Sequence, residues 1–407
     1  MYESIVEGAT KVLRENDRGR HTVPSGRLYP HLWAWDSAFA AIGWSTIDVG
    51  RAMDELESLF ASQWEDGRIP HIAFDETARD YFPGPDFWEC ERTSSITNPP
   101  VWATALRILL ERGAERSRVA ALVPRIEASL QFFTTSRDPL GWGGVAVAHP
   151  WESGRDNCPA WDAPLSQVDP FKAPEFERVD VAKVGDPGQR PTDDQYKRYA
   201  VLVKSIAADG FGPGPFAVYD PFMTALLVRA ETDLALIRDE LGQSGESSER
   251  RGRALECLER MWSPERGRYA FYDVTTKRRF YPEVLAAYVP STVVEHSRER
   301  DTCLAALERR YRAQGMLPTV SPGSHAFDPQ CYWRGPAWVS MNWLFATSLV
   351  GSRGRELSKR VIDTVSEYGF WEYFDARTGQ GLGTDRFTWS AALALDLAAR
   401  HFGPAVR

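Results

Sequence analysis

The 407-residue chain lacks several features that define common protein classes. Its five cysteines are scattered and odd in number, so we expect neither a disulfide framework nor a zinc knuckle. Scattered cysteines without a disulfide pattern are typical of a protein in a reducing compartment. No run of about 18 apolar residues occurs, which argues against a membrane span. The charged stretch 2–17 does not read as a secretory signal, and we therefore predict a cytoplasmic protein.

The chain also has fewer basic than acidic residues. The 48 Lys and Arg residues are outnumbered by 56 Asp and Glu residues, which gives a net charge of −8. A nucleic-acid or anionic-membrane surface would need a basic face, so we expect neither partner. The seven histidines lack zinc-protease spacing, and neither a Walker loop nor a Gly-x-Ser-x-Gly elbow occurs. We predict no metal and no cofactor. The sequence does not decide whether the protein forms a homo-oligomer.

Helical segments of two kinds alternate along the chain. One kind carries almost no charge and covers 32–47, 99–106, 221–228, 336–350 and 387–399. The other kind is amphipathic and heavily charged and covers 48–63, 107–118, 231–241, 246–260, 301–313 and 353–367. A helix that is apolar all round is buried, whereas one with a single apolar stripe lies at the surface.

This alternation predicts an all-α fold, an (α/α)6 toroid of six helical hairpins, each with one inner and one outer helix. We expect residues 1–407 to form a single catalytic domain, with loop insertions around 66–97, 139–190 and 263–290 forming the mouth. Little β structure is expected beyond a hairpin of 267–273 with 278–281. An irregular helical domain without closure is the alternative.

Aromatic and polar residues cluster at or just before the starts of the charge-poor segments. The clusters include WAWD at 33–36, PWESGRDN at 150–157, YWRGP at 332–336 and WEYF at 371–374. Parallel inner helices would gather these clusters at one end of the toroid. The 15 tryptophans would then help to line a single funnel together with Tyr, Asp, Glu and Arg.

Carboxylates set among tryptophans suit a carbohydrate, because sugar C–H patches lie on aromatic faces while hydroxyls need polar partners. Hydrolysis of a glycosidic bond needs two carboxyl groups, one protonated and one ionised. The acids in aromatic contexts are Asp36, Glu152, Asp156, Asp162 and Glu372. Aromatic surroundings raise a carboxyl pKa, which favours Glu372 as the proton donor, but the residues alone leave the acting pair open.

Several motifs together resemble one enzyme family. HLWAWDSAFAAIG, IPHIAF, YFPGP, TSSITNPP, HPWESGRDNCPAWD, QRPTDDQY, YWRGPAWVSMNWL and EYFDARTGQGLG are similar to segments of glycoside hydrolase family 63, specifically its bacterial mannosylglycerate and glucosylglycerate hydrolases. The resemblance runs from about residue 20 to the C-terminus and implies an (α/α)6 toroid. It also implies an inverting α-glycosidase that acts on a small glycoside without a metal.

The resemblance implies roles for individual residues. Asp156 corresponds to the general acid and Glu372 to the general base that activates water. Asp36 would hold sugar hydroxyls, and Tyr81 would lie on a mobile loop that closes over the glycerate. The full set expected to bind substrate is Trp33, Trp35, Asp36, His71, Tyr81, Asn98, Trp151, Arg155, Tyr332, Trp333, Arg334, Gly335 and Gln380.

Two positions depart from the family pattern. Asn98 stands where the family has a longer Gln that reaches the aglycone, and Cys158 stands where Ser is commoner. The sugar chemistry is therefore better supported than glycerate recognition. The alternatives are a trehalase-like or oligosaccharide α-glucosidase, a catalytically silent carbohydrate-binding protein, and a sugar epimerase. Arg334 would matter only for a charged aglycone.

Overall fold

The computed structural model describes residues 2–78, 81–178, 180–183, 186–208, 214–244, 248–295, 297–311, 315–349 and 351–402. Most of them lie in helices, as the alternating pattern predicted. Six inner helical segments form a ring, and six outer helices surround it. The predicted (α/α)6 toroid is confirmed. Within these ranges, no helix combines the length and the apolar character that a membrane crossing requires.

The inner segments are mostly apolar on all sides and are therefore largely buried in the ring. Every residue of Ala34–Trp44 and of Val339–Ala346 is buried. Each inner segment contacts the next around the ring, and the last contacts the first, which closes the barrel. In chain order the six are Ala34–Trp44, Trp102–Glu111, Pro221–Glu240, the 3-10 segment Leu285–Thr292, Val339–Ala346 and Thr388–Phe402.

The outer helices are amphipathic and present one apolar stripe to the ring. In Glu249–Met261, for example, Ala254, Cys257, Leu258 and Met261 are buried, which is the 3.6-residue spacing of one helix face. Its start is capped by Ser248, whose side chain accepts the Arg251 backbone N–H. The outer helices are Tyr2–Glu15, Val49–Ala61, Arg116–Ser136, Glu249–Met261, Arg298–Arg310 and Ser352–Tyr368.

The observed boundaries differ from the sequence prediction in three places. Segment 231–241, predicted as an outer helix, is the second half of the inner helix Pro221–Glu240. Segment 107–118 is split between the inner helix Trp102–Glu111 and the start of Arg116–Ser136. Leu285–Thr292, predicted as part of a loop, supplies the missing inner element.

Most of the remaining elements are short and lie in the predicted loop insertions. Asp193–Ala208 is the longest additional helix. The shorter helical segments are Pro85–Trp88, Pro150–Ser153, Pro159–Trp161, Asp162–Leu165, Pro170–Lys172, Asp180–Lys183 and Pro187–Gln189. Of the insertion 139–190, residues 179, 184 and 185 lie outside the described ranges, and so do residues 79 and 80 of insertion 66–97.

The β structure consists of short antiparallel pairs. The largest sheet has four strands in the order Ala146–Val147, Val218–Tyr219, Phe271–Asp273 and Arg278–Phe280. Its last two strands correspond to the hairpin predicted from the sequence. The two-stranded sheets pair Leu32–Trp33 with Ile72–Ala73, Trp262–Ser263 with Arg268–Tyr269, and Tyr373–Phe374 with Gly381–Leu382.

The inner helices begin at one end of the barrel, which we call the mouth, and finish at the other, which we call the closed end. Asp220 shows how the mouth end is built. Its side chain caps the helix by accepting the Phe222 N–H at 2.9 Å, and Pro221 occupies the first helical position. The predicted clusters of aromatic and acidic residues therefore converge on the mouth.

Candidate active site

A cavity opens at the mouth, surrounded by the loops that precede the inner helices. Its lining combines stacked aromatic rings with four acidic side chains and one arginine in the described part of the chain. The residues that line it are Pro24, Leu28, Tyr29, Trp33, Trp35, Asp36, His71, Ile72, Tyr81, Pro83, Asn98, Trp151, Gly154, Asp156, Asp180, Arg190, Pro191, Tyr196, Tyr332, Trp333, Glu372, Phe387 and Trp389.

Asp156 is placed in this cavity by a tight loop. The 3-10 turn Pro150–Ser153 is capped by His149, whose Nδ1 accepts the Trp151 N–H at 3.0 Å. Gly154 then turns the chain with a φ of +65°, and a Cβ there would come within 2.5 Å of the Trp35 ring. Only glycine meets both demands without strain. On the far side, the Tyr199 hydroxyl donates to the backbone oxygen of Asp156 at 2.8 Å, which fixes the loop.

The surroundings of Asp156 favour its protonated form. Burial raises the pKa of this carboxyl to about 7, with Arg190 acting against the rise and the charge of Glu372 adding to it. No other side chain in the described ranges forms a hydrogen bond with the Asp156 carboxyl. A carboxyl that keeps a proton near neutral pH and remains unpaired can deliver that proton to a bound group.

Glu372 also lines the cavity, in a different environment. It is 1% exposed and directly precedes strand Tyr373–Phe374. Its Oε2 accepts from Arg190 Nη2 at 2.9 Å, and its Oε1 accepts from Arg190 Nη1 at 3.2 Å. The Tyr29 hydroxyl donates to the same Oε1 at 2.7 Å. A two-pronged guanidinium contact of this kind stabilises an ionised carboxylate.

The two carboxyls therefore differ in their partners, since Glu372 is paired with a guanidinium and the Asp156 carboxyl is not. The sequence environment favoured Glu372 as the proton donor because four aromatic residues surround it. In the structure, Arg190 supplies Glu372 with a counter-charge from a distant loop, which the aromatic surroundings in the sequence did not reveal.

Asp36 is a further acid of the cavity and is buried in the first turn of the inner helix Ala34–Trp44. Burial raises its pKa well above the usual value, and the nearby charge of Glu372 adds to the rise. Its neighbours Trp33 and Trp35 form part of the aromatic wall, and Trp33 meets Tyr81 edge to face at 5.4 Å. A sugar ring held here would find both an aromatic face and a polar group for its hydroxyls.

Most of the residues expected from the sequence lie together around this cavity. His71 stacks on Trp151 at 6.1 Å, and burial lowers its pKa to about 3, so its ring is neutral. Asn98 donates from Nδ2 to the Trp151 carbonyl at 3.2 Å. The expected residues that line the cavity are Trp33, Trp35, Asp36, His71, Tyr81, Asn98, Trp151, Asp156, Tyr332, Trp333 and Glu372.

The structure places four of the expected residues outside the cavity lining. Arg155 is buried and pairs with Asp220 beneath the loop. Arg334 forms a two-pronged ion pair with Asp162, with both N–O distances at 2.8 Å. Gly335 allows a close backbone approach, since a Cβ would lie 2.0 Å from the Asp328 oxygen. Gln380 is exposed to solvent.

Sequence reasoning missed four polar residues that line the cavity, namely Tyr29, Asp180, Arg190 and Tyr196. Arg190 and Tyr196 lie within the QRPTDDQY motif, which carried part of the resemblance but suggested no role. The spacing of Thr192 and Gln195 in this motif is typical of a capping box, and the two residues form reciprocal hydrogen bonds of 2.9 and 3.2 Å. It fixes a helix start close to both residues.

Comparisons with known proteins agree on one family. A family model described as "Mannosylglycerate hydrolase MGH1-like glycoside hydrolase domain" matches residues 29–390. A mannosylglycerate hydrolase of Thermus thermophilus is 40% identical over 410 residues, covering 95% of this chain and 99% of that protein. A glucosylglycerate hydrolase of Mycolicibacterium hassiacum is 33% identical and covers 95% of this chain and 96% of its own.

Solved structures give the same result. A family 63 mannosylglycerate hydrolase from Thermus thermophilus, in complex with Tris and D-glycerate, superposes with a TM-score of 0.91 at 38% identity. The match covers 96% of this chain and 99% of that one. The neutral trehalase Nth1 of Saccharomyces cerevisiae matches with a TM-score of 0.62 at 16% identity, covering 94% of this chain and 73% of its own. That second likeness concerns the fold alone.

Proposed function

The chain belongs to the MGH1-like glycoside hydrolases of family 63, and from this membership we propose that it hydrolyses an α-glycoside of glycerate with inversion at the anomeric carbon. The substrate class comprises mannosylglycerate and glucosylglycerate, which are the substrates in the names of its relatives. The observation that carries the mechanism is that Asp156 and Glu372 line one cavity, with Glu372 paired to Arg190 and the pKa of Asp156 raised to about 7 by burial.

The proposed reaction is a single displacement. Asp156 gives its proton to the glycosidic oxygen as the bond from that oxygen to the anomeric carbon breaks. Glu372 accepts a proton from a water molecule as the water oxygen bonds to the anomeric carbon from the opposite face. The products are a hexose of inverted configuration and glycerate. Inversion calls for roughly 6.5–9.5 Å between the two carboxyl groups, which leaves room for the water.

Arg190 and Tyr29 support the base in this scheme. Together they donate three hydrogen bonds to the Glu372 carboxylate. These contacts fix the orientation of the carboxylate. Each carboxylate oxygen has two acceptor sites, so the group retains capacity to accept a proton from water.

A substrate panel tests the proposal. Purified enzyme is incubated with mannosylglycerate, glucosylglycerate, maltose and trehalose at equal concentration, and the initial rate of hexose release is measured. We expect at least one glycerate glycoside to be hydrolysed with a kcat/KM about 100-fold or more above those of the two disaccharides. A preference for maltose or trehalose would contradict the proposal and favour the trehalase-like alternative.

We also propose that the reaction takes place in the cytoplasm. All five cysteines are free, and three of them are buried, an arrangement that a reducing compartment preserves. Fractionation of cells that produce the enzyme at its natural level, followed by activity assays of each fraction, tests this location. Activity recovered mainly outside the cytoplasmic fraction would contradict it.

A further inference from the structure

Four arginines meet three acids in a network at the closed end of the barrel, counted over the described part of the chain. The acids are Asp233, Asp396 and Glu111, and the Glu111 side chain is 55% exposed. The arginines of this network are Arg107, Arg112, Arg229 and Arg400. One guanidinium group is therefore left without a carboxylate of its own.

Arg229 is the arginine that this imbalance leaves unpaired. Its Nε lies 3.9 Å from Asp233 Oδ2, which is beyond hydrogen-bond distance. The Asp233 carboxylate is already engaged, because Oδ1 accepts from Arg107 Nε at 2.7 Å and Oδ2 accepts from the Thr104 hydroxyl. The Arg229 side chain is only 14% exposed, so water solvates its charge only in part.

The hydrogen bonds that Arg229 does form go to neutral hydroxyl groups. Its Nη1 donates to Ser348 Oγ at 3.3 Å, and its Nη2 donates to Thr347 Oγ1 at 3.5 Å. Each hydroxyl gives its own hydrogen to a backbone oxygen four residues earlier, Leu344 at 2.8 Å and Trp343 at 2.9 Å. The two hydroxyls therefore hold the guanidinium in place without supplying negative charge.

Arg400 brings a second guanidinium to the same tryptophan. The Arg229 guanidinium lies 5.2 Å from the centre of the Trp343 ring, and Trp343 Nε1 donates to Asp396 Oδ2 at 2.7 Å. Arg400 Nε donates to that same oxygen at 2.7 Å. The Nη atoms of Arg400 have no hydrogen-bond partner among the described residues, so they keep donors for a ligand.

The charges around Arg229 do not compensate for its burial. Burial lowers the pKa of its guanidinium despite the opposing carboxylate of Asp233, and the charges of Arg107 and Arg400 lower it further. A bound anion stabilises an enclosed cation that lies beside other cations. Arg229 and Ser348 are partly exposed, so an anion from solution can reach the guanidinium.

We propose that the closed end binds a small tetrahedral oxyanion, such as inorganic phosphate, between Arg229 and Arg400. Each Nη of Arg229 has a second N–H beyond the one given to a hydroxyl, and guanidinium groups bind phosphate oxygens through such paired donors. The anion supplies the missing negative charge and joins the inner helices Pro221–Glu240 and Thr388–Phe402. This site is independent of the proposed function, because no residue of the mouth takes part.

Thermal unfolding in the presence of phosphate tests the site. The melting temperature is measured in sodium phosphate and in sodium chloride at the same pH and ionic strength. A ligand that binds only the folded state stabilises it, so about 20 mM phosphate should raise the wild-type melting temperature by about 2 °C or more over chloride. Arg229→Gln removes the unpaired charge and should abolish this difference.

Arg116→Gln is the matched control. Arg116 pairs with Glu240 at 3.3 Å outside the network, and its side chain is 55% exposed. This variant changes the net charge by the same amount and should keep the full phosphate effect. An equal loss in both variants would assign the effect to net charge and overturn the site. An effect that persists in Arg229→Gln would be the general stabilisation by excluded anions and would overturn it as well.

A second variant covers the case in which Arg229→Gln does not fold. Arg229→Lys keeps the charge but loses the planar pair of donors, so calorimetric titration with inorganic phosphate should show about fivefold weaker binding or less than in wild type. Equal affinities in the two proteins would contradict the contact with Arg229. Absence of saturable binding to wild type up to about 20 mM phosphate would contradict the site altogether.

Discussion

Asp156 at the mouth of the barrel and Asp396 at its closed end are both carboxyls enclosed by protein, and their surroundings differ. Asp396 is fully buried, and its Oδ2 accepts from Arg400 Nε and Trp343 Nε1, each at 2.7 Å. Arg112 pairs with its other oxygen. The Asp156 carboxyl has no comparable partners in the described part of the chain, and its pKa is raised to about 7.

Asp233 repeats the pattern of the closed end. It lies in the second half of an inner helix and pairs with Arg107 at 2.7 Å and with the Thr104 hydroxyl. At the closed end, the buried carboxylates have partners within the protein, which offset the cost of removing these charges from water. At the mouth, Asp156 and the Asn98 carbonyl retain bonding capacity that a substrate could use. The two acids at the closed end are thus paired within the protein, whereas the Asp156 carboxyl has no side-chain partner in the described ranges.

Asp156→Asn should give the largest effect on activity. The amide keeps the shape of the carboxyl but cannot deliver the proton, so we expect kcat to fall by about 10²–10⁴-fold. The melting temperature should not fall, because no partner is lost. Steady-state kinetics and thermal unfolding of the same preparation measure both quantities. A variant with near-normal kcat would remove Asp156 from the mechanism.

Asp396→Asn should show the reverse behaviour. Loss of this charge leaves Arg112 and Arg400 without their shared carboxylate, so we expect a loss of about 3 kcal/mol in the free energy of unfolding. The folded fraction should keep its kcat within about twofold. Denaturant unfolding measures the loss of stability, and steady-state kinetics measures kcat. A large drop in kcat with unchanged stability would contradict the contrast between the two ends.

The pH dependence sharpens the contrast at Asp156. Activity needs the protonated acid, so kcat/KM should fall as pH rises above about 7, approaching tenfold per pH unit. The folded protein also holds this proton more tightly than the unfolded chain. The group therefore stabilises the fold less as pH rises from about 4 to about 7, and this change should be absent from Asp156→Asn. A profile that stays flat up to pH 9 would contradict the assignment.

Arg334→Gln should have the smallest effect. Its ion pair with Asp162 is partly exposed and lies outside the cavity lining, so we expect less than about 1 kcal/mol in stability. We also expect kcat/KM for a glycerate glycoside to change by less than about threefold. A tenfold loss confined to the charged substrate would show that Arg334 reaches the aglycone.

The helical repeat was readable from the sequence because charge-free and amphipathic segments differ in composition. The sequence did not reveal Leu285–Thr292 as an inner segment, because it is a 3-10 segment of eight residues that contains Pro290 and lacks helical periodicity. Segment 231–241 was misassigned for another reason. Its charged residues Glu231 and Asp233 looked exposed, but both are buried in pairs with arginines of other segments.

The candidate acids could be found from their aromatic contexts, but their electrostatic difference could not. That difference depends on Arg190, which is 182 residues from Glu372 in the chain and meets it only in the folded barrel. The same holds for Arg155 and Arg334, whose partners Asp220 and Asp162 come from distant segments. Long-range pairing decides which charged side chains are satisfied and which remain available.

The configuration of the first-formed sugar tests the central proposal most directly. Hydrolysis of an α-glycoside of glycerate is followed by proton NMR from the first minutes, before mutarotation equilibrates the anomers. Displacement by water activated at Glu372, with Asp156 as acid, predicts that the β-anomer of the hexose appears first. Initial formation of the α-anomer would contradict a single displacement between these two carboxyl groups.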